Sequence, residues 1–101
     1  MNSFMIVITR TRILDFSKQH PTSVEPLNRW YAIIKNADWS NFSDLKQLFP
    51  NADYVGNDRY VFNIKGNDFR LVLMIHFSTR TVYIKYIGTH EDYNKIECSK
   101  I

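Results

Sequence analysis

Two hydrophobic periods divide this chain. Between about positions 10 and 49 apolar residues recur at helical spacing, and from about 52 onward they alternate as in strands. Ahead of both, Phe4 to Thr9 (FMIVIT) is apolar and β-branched, the pattern of a strand buried on both faces. Arg10 to His20 predicts a short amphipathic helix with Ile13, Leu14 and Phe16 on its apolar side, ended by Pro21. A second helix follows, with Ser23 as its N-cap and Pro26 in the first turn, where no intrahelical N–H bond is lost. Val24, Leu27, Tyr31 and Ile34 give it one core-facing stripe, and Trp30 reads as packing. Residues 36–51 form a connector anchored by Trp39 and Phe42. Within it Ser43 and Asp44 cap a short helical turn through Leu45, Leu48 and Phe49, which Pro50 ends.

The alternating half predicts an extended Ala52–Val55, a turn at Gly56-Asn57-Asp58 and then three antiparallel strands. Gly66-Asn67 is a strong two-residue hairpin signal, and it pairs Asn63 with Arg70 and Val61 with Val72. A second turn at Ser78-Thr79 pairs His76 with Thr81, Met74 with Tyr83, and Val72 with Lys85. Paired residues share a face, so one face carries Phe62, Ile64, Phe69, Leu71, Leu73, Ile75, Val82, Ile84 and Tyr86. It is apolar throughout and is where helices should pack. The other face carries Asn63, Lys65, Arg70 and Lys85, with Asp68 at its edge and Val61, Val72, Met74 and Tyr83 among them. Two readings of that face stand: a solvated surface, or a phosphate-binding patch. Strand, two helices and a meander make an α+β fold, with helices on one face of a mostly antiparallel sheet.

Length and composition narrow this further. At 101 residues the chain is read as a single domain over residues 1–101, and 45% apolar with 15% aromatic residues suits a compact core. Cys98 is the sole cysteine, so no internal disulfide forms and nothing argues for secretion. No apolar run is long enough for a signal or a membrane span, and the expectation is a cytoplasmic protein without membrane contact. The net charge of +3 matters less than its distribution: between Arg59 and His90 five Lys/Arg face one acid, Asp68. Metal-ligand spacing and phosphate-loop glycines are absent, so neither metal nor cofactor is expected.

The last stretch, Thr89-His90-Glu91-Asp92-Tyr93, reads as a capping-box-like helix start. It places His90, Tyr93 and Asn94 on one side of a turn at the rim of the cationic face. His20 and His76 read as a helix-end and a strand-end residue.

These residues also carry a resemblance. VFNIKGNDFRLV (Val61 to Val72), VYIKYIGTH (Val82 to His90) and THEDYNKI (Thr89 to Ile96) resemble the HigB-type toxins of type II toxin–antitoxin systems, in the RelE/ParE superfamily. MIVITRTRILDFSKQHP (Met5 to Pro21) and ADWSNFSDLKQLFP (Ala37 to Pro50) are similar to that family's opening and connector. The resemblance implies a RelE-like α+β toxin domain acting as a ribosome-dependent endoribonuclease, or mRNA interferase, that cuts mRNA in the ribosomal A site. It also implies neutralisation by a HigA-type antitoxin, with DNA met only through that antitoxin. By position it carries over Lys65 and Arg70, then Lys85, then His90 and Tyr93. Where the family more often has Asp after the tyrosine, this chain has Asn94, and no acid–base role is carried over there.

Metal-free RNA cleavage needs a base for the 2′-OH, positive charge on the phosphorane-like transition state, and an acid for the 5′-oxygen. Arg70 suits the second, because its planar fork holds two phosphate oxygens. Lys65, Lys85 and Asn63 would bind the RNA backbone. Histidine exchanges a proton near neutral pH, which suits His90, and Tyr93 would stack on a base or orient the scissile group. The catalytic set is therefore Arg70, His90 and Tyr93. Two other readings stay open at this point: a non-catalytic ParE-like inhibitor of DNA gyrase on the same fold, and a single-strand RNA-binding module.

Overall fold

The computed structural model describes residues 5–8, 10–97 and 100–101. Phe4, Thr9 and Cys98, which the sequence reading touched, lie outside them. Its strands are β1 (Ile6–Ile8), β2 (Asp53–Gly56), β3 (Arg59–Ile64), β4 (Phe69–His76) and β5 (Thr81–Thr89). The helices are α1 (Thr11–Gln19), α2 (Val24–Lys35), α3 (Phe42–Leu48) and α4 (His90–Tyr93). The strands form one sheet in the order β1-β5-β4-β3-β2, antiparallel except for β1, which lies parallel to β5. This is the α+β layout that the pattern predicts.

The N-terminal strand departs from expectation. As an edge strand it is covered on one face only: Val7 packs on the core, while Ile6 and Ile8 are 58% and 38% exposed. Apolarity on both faces signals burial on both only where a neighbour exists on each side.

Two helix starts also differ. Ser23 does not cap α2 with its side chain; its backbone is already helical, and its hydroxyl donates to the His20 carbonyl at 2.7 Å. The cause is a 3₁₀ turn over Pro21–Ser23 that runs straight into α2. The buried stripe of α2 is Leu27, Trp30 and Ile34, with Tyr31 half-buried and Val24 exposed at the helix start. α3 is capped by Asn41, whose side chain accepts from the Asp44 N–H at 3.0 Å, not by Ser43. The Asp44 carboxylate in turn accepts from the Ser40 N–H at 2.9 Å, a variant of the capping box that starts two residues earlier than expected.

The core lies between the helices and one face of the sheet. Phe62, Ile64, Phe69, Leu71, Leu73, Ile75, Val82 and Ile84 are all buried there, as the alternation predicts. Each such side chain stabilises the fold by about 1.5–3 kcal/mol relative to exposure. Trp30 meets Phe62 edge to face at 6.1 Å, and its indole N–H is buried without a hydrogen-bond partner among the described residues.

Tyr86 is the exception, and the reason is a register shift. Up to Leu73↔Ile84 the β4–β5 ladder follows the expected pairing, but Val72 then pairs with Tyr86 instead of Lys85. Lys85 is the extra residue of a β-bulge. Beyond it the parity inverts: Tyr86 moves to the outer face, and Ile87 packs on the core.

The middle of the outer face is not a solvated surface. Val61 and Val72 are 4% and 0% exposed, packed with Val55, Tyr86, Tyr93, Ile96 and Ile101. Arg59 fastens this second, smaller cluster by donating to the main-chain oxygen of Ile101 from Nε, at 3.1 Å, and from Nη2. Arg80 is structural in a similar way, joining the β4–β5 turn to the connector through Asp38 (2.7 Å) and the Ser40 hydroxyl (3.2 Å).

Candidate active site

The β3–β4 ladder and the start of α4 converge at one end of the outer face. Asn63 pairs with Arg70, as predicted, and Ile64 pairs with Phe69 to close the ladder. The loop between them keeps Lys65 and Gly66 at φ +53° and +62°. Such a conformation suits Gly66 and strains Lys65. The Asp68 N–H donates to the Lys65 carbonyl at 3.1 Å, and the two side chains approach to 3.4 Å as an exposed ion pair. Lys65 is thereby held beside a carboxylate, which weakens it as a free cation.

Arg70 is half-buried. Its Nη1 donates to the carbonyls of Asn67 (3.1 Å) and Phe69 (3.3 Å), bending the guanidinium back over the hairpin loop. Those bonds leave the Nε and Nη2 side of a five-donor fork for another acceptor. The guanidinium carbon lies 5.8 Å from the centre of the Tyr93 ring, within cation–π range.

α4 starts directly at the end of β5 with no linker. Thr89 caps it, its hydroxyl oxygen accepting from the Asp92 N–H at 3.1 Å, as the sequence predicts. The His90 N–H donates to the Asp68 carbonyl at 3.0 Å, which ties the helix start to the hairpin loop beside Arg70. His90 is exposed, while Tyr93 is half-buried in the outer cluster. Arg70, Tyr93, His90, Asn63 and Lys65 therefore gather at one end of the sheet.

Lys85 stands apart. Arg70 pairs with Gly88, so Lys85 is three residues further along β5, at the bulge. Its carbonyl accepts from Arg12 Nη1 at 3.2 Å. The three cations read as one patch are thus a pair near the hairpin loop and a separate third on β5.

Alternation also missed two residues. Tyr86, assigned to the core face, lies on the outer face with Tyr93, and its ring runs across Gly88. A Cβ on Gly88 would collide with the Tyr86 hydroxyl and ring. A glycine inside an otherwise regular strand is a known mark of a bulge or a close approach, and Gly88 was that signal.

Chemically the site offers a guanidinium for phosphate, an exposed imidazole, a phenol and an amide within one small area. Among the described residues no group of three or more His, Cys, Asp or Glu is placed to hold a metal ion. No described helix is long and apolar enough to cross a membrane.

Comparison with known proteins converges on one family. Residues 23–96 match the HigB_toxin family, described as the RelE-like toxic component of a toxin–antitoxin system. The chain is 30% identical over 93 residues to the mRNA interferase toxin HigB of Escherichia coli K12, covering 89% of this chain and 88% of that one. It is 28% identical over 94 residues to the mRNA interferase HigB of Escherichia coli O6:H1, covering 91% of each. An mRNA interferase HigB from Shigella flexneri is similar at 30% identity.

Proposed function

This chain belongs to the HigB toxins, the RelE-like toxic components of toxin–antitoxin systems, and on that premise we propose that it is an mRNA interferase that cleaves translated mRNA on the ribosome. An antitoxin partner follows from membership; a HigA-type antitoxin, the ribosomal A site and a cytoplasmic setting belong to the proposal. So does the reading of residues 1–101 as one RelE-like toxin domain.

The observation that supports this most is the pairing of Arg70 with Tyr93 beside His90. Cleavage by the neighbouring 2′-OH joins that oxygen to phosphorus and expels the 5′-oxygen, leaving a 2′,3′-cyclic phosphate and a 5′-hydroxyl. Arg70 sits where its unused N–H groups can meet the extra negative charge of the five-coordinate phosphorus. Tyr93, packed against that guanidinium, stacks on a base or orients the scissile group. His90, exposed at the helix start, moves a proton to or from the reacting oxygens. Asn63, opposite Arg70, and Lys65 hold the RNA backbone at the hairpin end, and Lys85 holds it further along β5. No step calls on a metal ion.

The test is to add the purified chain to a translating extract and map mRNA 5′ ends. Cuts within translated frames are expected. Arg70→Ala should slow them by about 10²–10³-fold, the usual loss when one donor to a developing charge is removed. Wild-type cutting that persists unchanged in both Arg70→Ala and His90→Ala overturns the site. A wild type that cuts nothing with ribosomes present, yet blocks gyrase supercoiling, overturns the activity.

A further inference from the structure

Among the described residues β1 pairs with β5 as far as Ile8↔Tyr83, and β5 continues to Thr89. Along that remaining edge α1 stands in place of a strand. Between them opens a cavity of about 320 Å³, lined by Arg12, Asp15, Phe16, Gln19, Tyr86 and Ile87. Its composition is uneven in a useful way. Phe16 and Ile87 continue the hydrophobic core, so one side is apolar. Asp15 and Gln19 are exposed polar residues one helical turn apart, on the same side of α1. Arg12 spans the gap, its Nη1 bonded to the Lys85 carbonyl. Apolar walls with a carboxylate and an amide at the rim suit a flat heterocycle with hydrogen-bonding groups on its edge.

The cavity also joins the candidate active site through one residue. Tyr86 lines it and at the same time belongs to the outer cluster with Tyr93. Its ring lies across Gly88, the ladder partner of Arg70. Gly88 lies two positions along β5 from Tyr86, a span of about 7 Å at strand rise, which a single nucleotide bridges. Without the bulge at Lys85, Tyr86 would face the core and the connection would be lost.

We propose that the cavity between α1 and β5 is a nucleobase subsite, taking the base of a nucleotide next to the phosphate held by Arg70. This rests on the mRNA interferase reading above and adds a specificity element to it. The Asp15 carboxylate accepts hydrogen bonds and donates none, so it favours bases with an exocyclic amino group over uracil, whose single ring N–H is flanked by two carbonyl oxygens that the carboxylate repels. Gln19 supplies a donor and an acceptor to the same edge.

Two measurements test it. In the first, AMP and UMP are titrated into the wild-type chain under ¹⁵N-edited NMR, which needs no cleavage. AMP is expected to shift the amides of Arg12, Asp15, Gln19, Tyr86 and Ile87 more than UMP does. In the second, cut sites are mapped in the translating extract for the wild type, Asp15→Asn and Gln19→Ala. Asp15→Asn introduces a donor, and uracil at the flanking position should rise by about fivefold, the smaller end of what one base contact contributes. Equal or absent NMR shifts from the two nucleotides, or a base distribution unchanged in both variants, overturns the subsite. So do cavity shifts produced by the antitoxin protein and by neither nucleotide. If AMP shifts the cavity amides and the wild type cuts nothing, the subsite stands and the activity falls.

Discussion

The two ladders that flank β4 began with the same predicted regularity and ended differently. β3–β4 keeps one register from Arg59↔Met74 to Ile64↔Phe69. β4–β5 keeps it from His76↔Thr81 to Leu73↔Ile84 and then slips by one at Lys85. The unbroken ladder fixes the core and sets Asn63 opposite Arg70. The broken one aims side chains: it lifts Tyr86 to the outer face, sets Gly88 against Arg70, and sends the chain into α4. Alternation is a rule about spacing, and it holds along a strand only until the first extra residue. The candidate chemistry sits just beyond that point.

Removing the difference between the ladders should have the largest effect. Deletion of Lys85 would remove the extra residue and leave one continuous ladder, in which Tyr86 still pairs with Val72 and Ile87 with Leu71. The deletion takes away the added twist of the bulge and the carbonyl that Arg12 bonds, so a loss of about 2 kcal/mol is expected in urea denaturation, together with loss of mRNA cutting. A deletion variant as stable as the wild type would show that the bulge is incidental.

Gly88→Ala probes the same ladder more gently. Its methyl would displace the Tyr86 ring, at about 1–2 kcal/mol for overpacking. In a Tyr86→Ala background the same change should cost close to nothing, and a double-mutant thermal cycle reads the coupling. On the unbroken ladder, Gly66→Ala forces a β-carbon into the left-handed region at φ +62°, and about 1 kcal/mol should be lost without any change in cut-site choice.

The smallest effect concerns Tyr60, buried on the core side of β3 among Tyr54, Phe42 and Phe77. Burial pushes its phenol above the ordinary value of 10.0, and Tyr54 and Asp58 nearby add to the rise. A raised folded value means the unfolded chain releases that proton first as pH climbs. The stability tied to neutral Tyr60 is therefore complete below about pH 10 and is lost as pH rises through the folded value. Tyr60→Phe should flatten that part of the alkaline denaturation profile and leave the profile at neutral pH alone.

How much was legible in the sequence follows from which forces are local. The hairpin at Gly66-Asn67, the Thr89 cap and eight of nine expected sheet-core residues were readable, because turn chemistry and alternation act within a few positions. Asn41 displaced Ser43 as a cap because several polar residues in a row offer competing caps, and tertiary packing of Phe42 and Leu45 chooses among them. The exposure of Ile6 and Ile8 arises because no described residue packs over that face of β1, which no local pattern encodes. The cluster over Val61 and Val72 needs the chain's last residues to fold back forty positions, so its valines read as strays on a polar face. Arg70, His90 and Tyr93 are candidates from residue type and resemblance. Their gathering, and the separation of Lys85 from them, required the bulge.

The bond from Arg59 to Ile101 has a consequence for how the folded state breathes. Ile96 and Ile101 are the roof over Val61 and Val72, and Tyr93 is part of the same roof. Small units of this kind open and reseat at a lower free energy than the whole fold. In a hydrogen-exchange experiment the amides of Asn94 to Glu97 should trade their protons long before those of Val61 and Val72. Each such opening also draws Tyr93 away from Arg70. If Tyr93 acts in cutting as proposed, the time that the tail spends seated sets the fraction of molecules competent to cut. A chain of this kind can be folded and idle at once.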